Sequence, residues 1–499
     1  MDSVKSWAFK LRAYAPTAPV PPLQGCLRGL ISIGVLSLAL ILLLYRLGDG
    51  SLHDWDEAIY AQVAREMLAS DSWMTLSWNG APFFHKPPLY FWLTALTYKI
   101  IGVSEFAARL WPALFGFGVI VLTFVLGVRL HSWAVGTIAA LLLLVVDQSY
   151  YAHWWNFLSL SRVGMLETGL TFWIMTALLL VWEAEHRPWL IVFIGLSVAM
   201  AVMTKAWPGF LAAGIALSYW LIANQRRVGD GVSWVVAAWV AALLILPWHL
   251  WQFAWHGPPF VHDYVGGNLT GRLFRAFEGN AGSPLDYVDI LRRGFSIWGY
   301  VWPLAYIWAA WKAIAQSDRR MKLVLVWLTL PLLLFSVAQT KLGWYISMIY
   351  PAIALLLGLA LVEWFTARWA LGVVAIMMCV CCLRVPTPAN GSRDVKQFSL
   401  QAAQSAVPGE LIYLTREVCT PHAHAFTANA PSSNIESIRP ALRFYVDRPL
   451  LCIEERQIQA GLHPQQAYVI IPQTSWSRLG RHHARAVFEG YGFVLARWD

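Results

Sequence analysis

The sequence predicts a polytopic α-helical membrane protein with a small α+β domain at its C-terminal end. Three observations support this fold class. Of the 499 residues, 58% are hydrophobic and only 13% are charged, a composition that is too apolar for a soluble protein. Long apolar runs recur from residue 30 onwards. The composition changes once, after Leu383, where a linker rich in Pro, Asn, Gly and Ser leads into shorter mixed segments.

The apolar runs predict about 11 to 13 membrane spans. Several runs are shorter than the roughly 20 residues of a perpendicular span, so flanking residues or local bilayer thinning must complete them. No small-residue cleavage site follows the first run, and it is therefore expected to remain as a span. The runs cover residues 30–45, 110–128, 133–146, 169–182, 189–203, 207–223, 232–248, 295–310, 323–337, 344–361 and 369–383.

The basic residues predict the orientation, because Lys and Arg are retained on the cytoplasmic side of a membrane. Those before the first run place the N-terminus in the cytoplasm, and an odd number of spans then places the C-terminus on the outer side. We expect the membrane to be a bacterial inner membrane, with the C-terminus in the periplasm. The net charge of +9 is accordingly a topology signal, and the sequence shows no basic face of the kind that binds nucleic acid. The inner basic residues are Lys5, Lys10, Arg12, Arg28, Arg129, Arg187, Arg226, Arg227, Lys312, Lys322 and Arg368.

Two domains are predicted: a membrane domain over residues 1–384, with long outer loops at 47–109 and 251–294, and an extracytoplasmic α+β domain over 385–499. Short β-type runs in the second domain predict strands at 411–414, 443–446, 467–471 and 492–496. Six cysteines show no zinc-type spacing. Only Cys419 and Cys452 share the predicted soluble domain, where they form either a disulfide or two free buried thiols.

A cluster of acids opens the first outer loop. Asp54, Asp56 and Glu57 place three carboxylates within four positions of a chain that is poor in charge. One of them, Asp54 or Asp56, is explained as an N-cap of the following helix, but three are not. Apolar residues at every fourth position predict that this helix is amphipathic and lies on the membrane: Ile59, Val63 and Met67. Residues 89–101 are predicted to form a second interfacial or re-entrant element.

Single cations stand out at the outer ends of the predicted spans, where the orientation rule expects few of them. If they converge on one membrane face, they form a pocket suited to a phosphate or diphosphate. The alternative is that each pairs with a nearby acid or reaches the lipid headgroups. Glu167, five residues after Arg162, is a candidate for such a structural pair. The five cations are Lys86, Arg162, Lys205, Arg272 and Lys341.

The abundant aromatic and His residues do not indicate a metal or cofactor. Many of the 29 tryptophans lie at the ends of apolar runs, as in an interfacial belt. The His residues of the outer loops have no zinc-type spacing. We therefore predict no required cofactor, and a divalent metal is an alternative that the spacing does not support.

Four ordered motifs and one C-terminal segment carry a family resemblance. They are Trp55-Asp56-Glu57-Ala58-Ile59-Tyr60-Ala61, Phe84-His85-Lys86-Pro87-Pro88, Ser161-Arg162-Val163-Gly164-Met165-Leu166-Glu167, Thr340-Lys341-Leu342-Gly343-Trp344-Tyr345 and Arg443-Phe444-Tyr445-Val446-Asp447-Arg448-Pro449. With these motifs the chain resembles the GT-C glycosyltransferases of the aminoarabinose transferase and protein O-mannosyltransferase type, over nearly its whole length.

The resemblance implies a polyprenyl-phosphate-linked sugar donor and an active site at the outer face of the membrane. It implies catalytic roles for Asp56 and Glu57. The acceptor would be a lipid similar to lipid A, a glycan or a protein. The residues that match donor-phosphate or pocket positions of the family are Lys86, Lys205, Arg272, Lys341 and Tyr345. We also expect Arg162 to bind the donor phosphate, and Tyr60, His85 and Glu167 to line the pocket. Three positions depart from the family pattern: His85 replaces an acid, Ile59 replaces an Arg and Glu167 replaces an Asp.

The implied reaction is attack on an anomeric carbon with departure of a lipid phosphate. Lys and Arg can stabilise the leaving phosphate without a metal. Asp56 would act as general base for a hydroxyl acceptor, or orient the substrates if the acceptor is already an anionic phosphate. A transporter or flippase for an anionic polyprenyl or glycolipid is the alternative, and it predicts ionisable residues at mid-membrane and related halves. A receptor-like assembly protein is a third interpretation.

Overall fold

A computed structural model describes residues 22–145, 156–223, 230–275, 280–295, 297–365, 367–383, 389–390, 393–407, 410–419, 440–448, 450–453, 467–479 and 484–498. Every predicted apolar run coincides with a helix. Within the described ranges, six helical segments are long and apolar enough to cross a membrane, so the chain is an integral membrane protein. The apolar helices are Pro22–Leu44, Glu105–Leu130, Trp133–Val145, Glu167–Glu183, Ile191–Lys205, Leu211–Ile222, Asp230–His256, Trp298–Ala315, Arg319–Val337, Tyr350–Trp364 and Ala367–Leu383.

The helix Tyr350–Trp364 lies at the centre of the bundle. Its residues from Tyr350 to Leu361 are all buried, so this helix is apolar around its whole circumference, as expected for a helix enclosed by others. It packs against the helices Trp133–Val145, Trp298–Ala315 and Arg319–Val337. The helices around it are therefore held in place by contacts with this central helix.

The first outer loop folds into two helices and a small hairpin. The helix Asp56–Ser70 begins at the acid cluster, as predicted. It packs against the helix Leu89–Ile101 and is also covered by the helix Pro440–Val446. The hairpin pairs Ser77–Trp78 with Ala81–Pro82.

The C-terminal region contains a five-stranded mixed sheet. The strand order is Leu450–Ile453, Ile412–Thr415, Ala467–Pro472, Phe493–Trp498 and Ala484–Gly490. The first three strands are parallel, and the last three are joined by antiparallel pairs. Helices in this region cover Arg393–Ser405, Arg416–Cys419, Pro440–Val446 and Gln473–Leu479.

Three of the four predicted C-terminal strands are confirmed. The prediction for 443–446 is wrong: these residues belong to the helix Pro440–Val446, whose side chains are all buried. Burial against the first outer loop here overrides the β propensity of Phe, Tyr and Val. Cys419 and Cys452 form a disulfide, which resolves the alternatives left open by the sequence.

The C-terminal region and the first outer loop share one hydrophobic core. Leu52 and Ala58 from the loop belong to the same buried cluster as Phe398, Leu442 and Leu495. The short strand Gly50–Ser51 also pairs in parallel with Ala389–Asn390. The C-terminal region therefore packs on the same face of the helix bundle as the acid cluster, and the two regions form one continuous layer.

Candidate active site

A cavity of about 250 Å³ lies where the first outer loop meets the ends of three helical segments. One part of its lining carries charged and polar groups, and the rest is apolar. The polar lining residues are His85, Lys86, Lys205, Arg272, Thr340 and Tyr345. The apolar lining residues are Ala206, Trp207, Pro208, Phe210, Leu273, Leu334, Phe335, Ala338 and Met348.

Lys86 supplies an ammonium group that makes no hydrogen bond to the described residues. Two prolines follow it and lead into the helix Leu89–Ile101, which restricts the backbone next to the lysine. Burial and the neighbouring Arg272 guanidinium lower the pKa of Lys86 to about 8. Asp56, Lys205 and Glu167 also lie close enough for their charges to act on the ammonium. The Lys86 ammonium therefore retains N–H groups that can donate to a ligand.

Lys205 and Glu167 form a buried ion pair at the cavity. Lys205 is the last residue of the helix Ile191–Lys205, which ends because Ala206 has a positive φ of 56°. Glu167 opens the helix Glu167–Glu183. The Lys205 ammonium also lies 5.2 Å from the centroid of the Tyr345 ring, within the range of a cation–π contact. The pair therefore fixes the lysine beside the aromatic wall.

Arg272 donates a hydrogen bond from Nη1 to the Tyr345 hydroxyl. It follows the π-helix His262–Gly271. Helices of this type have i→i+5 hydrogen bonds and often occur at functional sites. Tyr345 comes from the 3₁₀ turn Gly343–Ile349. Arg272 and Lys205 accordingly meet on the same tyrosine, one at its hydroxyl and one at its ring.

Asp56 completes this group of charges. Tyr60 lies one turn later on the same helix. Burial, and next the negative charge of Asp56, raise the pKa of Tyr60 well above its ordinary value, so the phenol stays protonated beside the carboxylate. The Tyr60 ring packs edge-on against Tyr90 and Phe91, at centroid distances of 6.0 and 5.6 Å.

His85 lines the cavity beside Lys86 as a neutral ring. Burial, followed by the positive charge of Lys86, lowers the pKa of His85 to about 4. Its Nε2 atom is buried and has no hydrogen-bond partner among the described residues. The ring packs on Phe83 at a centroid distance of 5.3 Å. No group of three His, Cys, Asp or Glu side chains in the described ranges could hold a metal ion.

Glu57, for which a catalytic role is expected, lies outside this group, and its carboxylate is bound by other partners. Both carboxylate oxygens are engaged: Arg109 donates to Oε1 at 2.7 Å and to Oε2 at 3.3 Å. The backbone N–H groups of His53 and Gly164 donate to the same carboxylate at 2.8 and 3.0 Å. Burial raises the pKa of Glu57, but the Arg109 guanidinium more than offsets this and lowers the pKa overall. Glu57 therefore joins the loop to the bundle as a structural anion.

Arg162 and Lys341, which are expected to bind the donor phosphate, donate to carbonyl oxygens at helix ends. Arg162 donates to the carbonyl oxygens of Leu42, Leu43 and Tyr45 at 2.6, 2.9 and 2.8 Å. Lys341 donates to the carbonyl oxygens at the end of the helix Arg319–Val337, including that of Ser336 at 2.8 Å. Terminal carbonyls attract cations, so a cation at the outer end of a span does not by itself indicate a ligand site.

Two charged residues near the site were missed by the sequence analysis. Arg109 is fully buried and forms an ion pair with Glu57. The sequence signal for this pair is Glu57 itself, an acid beside Asp56 that needs a cationic partner. Asp263 lies near enough to His85 for its charge to act on the ring. Asp263 belongs to the second outer loop, and the sequence does not predict its proximity to His85 because the two residues are far apart along the chain.

Known proteins resemble this chain in sequence and in fold. Residues 30–262 match the family described as dolichyl-phosphate-mannose-protein mannosyltransferase. An undecaprenyl phosphate-alpha-4-amino-4-deoxy-L-arabinose arabinosyl transferase of Pseudomonas fluorescens is 28% identical over 73% of this chain and 65% of its own length. Its counterpart from Pseudomonas savastanoi is 30% identical over 66% of this chain and 61% of its own length. The chain thus spans less than two thirds of the length of these curated relatives.

Two solved structures share the fold. ArnT from Cupriavidus metallidurans, solved with undecaprenyl phosphate bound, has a TM-score of 0.74 and 18% identity, covering 93% of this chain and 97% of its own. The archaeal oligosaccharyltransferase AglB from Archaeoglobus fulgidus, in complex with an inhibitory peptide and a dolichol-phosphate, has a TM-score of 0.57 and 11% identity, covering 92% and 70%. The chain therefore has the GT-C membrane glycosyltransferase fold and resembles the superfamily of aminoarabinose transferases and protein mannosyltransferases.

Proposed function

We propose that the protein transfers a sugar from a polyprenyl-phosphate-linked donor to a lipid, glycan or protein acceptor at the outer face of the membrane. The observation that carries this proposal is the two-sided cavity: Lys86, Lys205 and Arg272 at its polar part and an apolar wall beside them. A phosphate joined to a long hydrocarbon chain has the same two-part character. The cations suit the phosphate, and the apolar wall suits the first isoprene units of the hydrocarbon chain.

The cations would stabilise the leaving group. Attack by an acceptor oxygen forms a new bond to the anomeric carbon while the bond from that carbon to the phosphate oxygen breaks. The electron pair of the broken bond stays on the phosphate, where negative charge therefore grows. Lys86 has no competing hydrogen bond and can follow this charge directly, while Arg272 and Lys205 are held in place by Tyr345 and Glu167.

Asp56 would act on the acceptor. If the acceptor is a hydroxyl, Asp56 takes its proton as the oxygen attacks; if the acceptor is a lipid phosphate, Asp56 orients the substrates. The protonated Tyr60 phenol lies beside this carboxylate. The similarity to arabinosyl transferases that use undecaprenyl phosphate favours a pentosyl donor on that carrier and a lipid acceptor similar to lipid A.

We also propose a bacterial inner membrane location, with the N-terminus in the cytoplasm and the active site and C-terminal region in the periplasm. The disulfide between Cys419 and Cys452 supports an oxidising compartment for the C-terminal region. That region packs on the acid-cluster face, so the active site would lie in the same compartment.

The test compares Asp56→Asn with the wild type in membranes supplied with a polyprenyl-phosphate sugar donor. We expect the variant to insert and fold but to lose sugar transfer, because the neutral amide neither accepts the proton nor supplies the negative charge of the carboxylate. Asp71→Asn is the matched control, since Asp71 is an exposed acid just after the same helix, and it should keep full activity. Full activity in Asp56→Asn, or lipid movement without sugar transfer in the wild type, would contradict the proposal. Mass spectrometry of envelope lipids and glycoproteins with and without the gene identifies the product.

A further inference from the structure

The C-terminal region reaches directly into the acid cluster. The backbone N–H of Ala441 donates a hydrogen bond to Asp54 Oδ1 at 2.9 Å. Two residues earlier in the loop, the N–H of Leu52 donates to the Tyr445 hydroxyl at 2.7 Å. That hydroxyl in turn donates to Glu105 at 3.0 Å. The short helix Pro440–Val446 therefore holds the residues just before Asp56 at two points.

Further contacts hold the following helix to the same segment. Arg443 donates to Glu66 at 3.0 Å and to Asn79 at 3.1 Å. Arg65 donates to the Phe444 carbonyl at 3.0 Å. Arg443 is buried, so its bonds are well shielded from water and are worth more than exposed pairs. Asp56 is thus the first residue of a helix that is hydrogen-bonded to the segment Pro440–Val446.

The backbone between Asp54 and Asp56 requires such support. Trp55 has φ 73° and ψ −133°, a combination that side-chain-bearing residues rarely adopt and that costs about 1–3 kcal/mol. On the helix side, the Trp55 carbonyl accepts from the Ile59 N–H at 2.8 Å. On the loop side, the bond from Ala441 fixes Asp54. The position of Asp56 therefore depends on both hydrogen bonds, one on each side of the strained Trp55.

We propose that Asp54 is a positioning residue for Asp56, and that the segment Pro440–Val446 holds the acid cluster in its productive geometry through Asp54. This inference rests on the proposed function, because it assigns Asp56 to the reaction. The three acids of the cluster then have separate tasks. Glu57 binds Arg109, Asp54 binds Ala441, and Asp56 faces the charges of the cavity.

The experiment removes the bond from each side. Asp54→Ala removes the acceptor and should lower kcat for sugar transfer by about 10- to 100-fold, with little change in KM for the donor, since a displacement of 1 Å costs rates of this order. Asp54→Asn keeps a carbonyl oxygen that accepts from Ala441 and should stay within about twofold of the wild type. Ala441→Pro removes the donor without altering the loop, at a helix start where proline is tolerated, and should match Asp54→Ala.

The double variant Asp54→Ala with Ala441→Pro should be no slower than either single variant, because both remove one interaction. Hydrogen exchange of residues 52–60, measured by mass spectrometry on the full-length protein, should rise in Asp54→Ala and Ala441→Pro but not in Asp54→Asn. An inactive Asp54→Asn, or an unchanged Asp54→Ala, would overturn the positioning role. If exchange behaves as expected but the wild type shows no sugar transfer, the positioning contact stands and the proposed function fails.

Discussion

Two groups of charges lie close together beside the acid cluster, yet their surroundings differ. In the first, the saturated pair Glu57 and Arg109, the carboxylate receives four hydrogen bonds. Arg109 also donates to carbonyl oxygens of the loop, including that of Ser51 at 2.8 Å. In the second, the cavity group Asp56, Lys86, Glu167, Lys205 and Arg272, the charges act on one another and Lys86 makes no hydrogen bond to the described residues. Charged residues thus stabilise the fold where all their polar atoms are hydrogen-bonded. Where a charged group such as the Lys86 ammonium makes no hydrogen bond to the described residues, it can bind a ligand.

The largest expected effect concerns the saturated pair. Arg109→Ala leaves a buried carboxylate and several buried carbonyl oxygens without their donor, so we expect the free energy of unfolding to fall by about 3–5 kcal/mol. The measurement is thermal unfolding of the purified protein in detergent. Lys86→Ala is the matched control from the cavity group, and it should unfold near the wild-type temperature. Equal stability of Arg109→Ala and wild type would show that saturation does not distinguish the two groups.

A smaller effect separates Lys86 from Lys341, two cations with the same predicted role. Lys86→Ala should raise KM for the donor by about 10-fold or more, since a hydrogen bond to a charged group contributes about 1.5–3 kcal/mol. KM for the acceptor should change little. Lys341→Ala removes a helix cap and should lower stability by about 1 kcal/mol, with donor KM nearly unchanged. The reverse pattern in steady-state kinetics would return Lys341 to the phosphate site and remove Lys86 from it.

The smallest effect is a dependence of donor binding on pH. Because the pKa of Lys86 is about 8, the side chain is cationic below that pH and loses its charge above it. Donor affinity should therefore be constant below about pH 8 and fall above it, approaching tenfold for each further pH unit. Lys86→Arg keeps its charge throughout this range and should abolish the break. A break that persists in Lys86→Arg would assign the titration to another group.

The helices of the membrane domain were predictable because their signal is local. Each apolar run, such as 344–361, carries enough hydrophobic residues to be recognised without its neighbours. Strand 467–471 was predictable for the same reason, from a continuous apolar β-type run. Residues 443–446 were not, because the helix they form depends on burial against Asp56–Ser70, a contact between distant parts of the chain.

The candidate site was predictable in part. The rarity of charge drew attention to Asp56, Lys86, Lys205 and Arg272, and the structure brings these side chains together. The sequence does not state which way a side chain points, so Arg162, which caps a helix end, could not be separated from them. The separation requires knowing which carbonyl groups lie nearby.

The separate tasks of the three acids show the same limit. Asp54, Asp56 and Glu57 are equivalent in the sequence, which predicts an N-cap role for one of the first two. In the structure Trp55 occupies the N-cap position and makes no side-chain capping hydrogen bond, while Asp54 and Glu57 bind partners that lie 387 and 52 residues away. Only long-range contacts of this kind distinguish a structural carboxylate from a reactive one.

The central claim is that the cavity group binds a lipid phosphate, and direct binding tests it. Undecaprenyl phosphate and undecaprenol share the hydrocarbon chain and differ in the phosphate, so their affinities for the full-length protein in nanodiscs isolate the phosphate contribution. We expect undecaprenyl phosphate to bind at least about 10-fold more tightly than undecaprenol, and this preference to shrink in Lys86→Ala. Equal binding of the two lipids, or a preference unaffected by Lys86→Ala, would contradict the account.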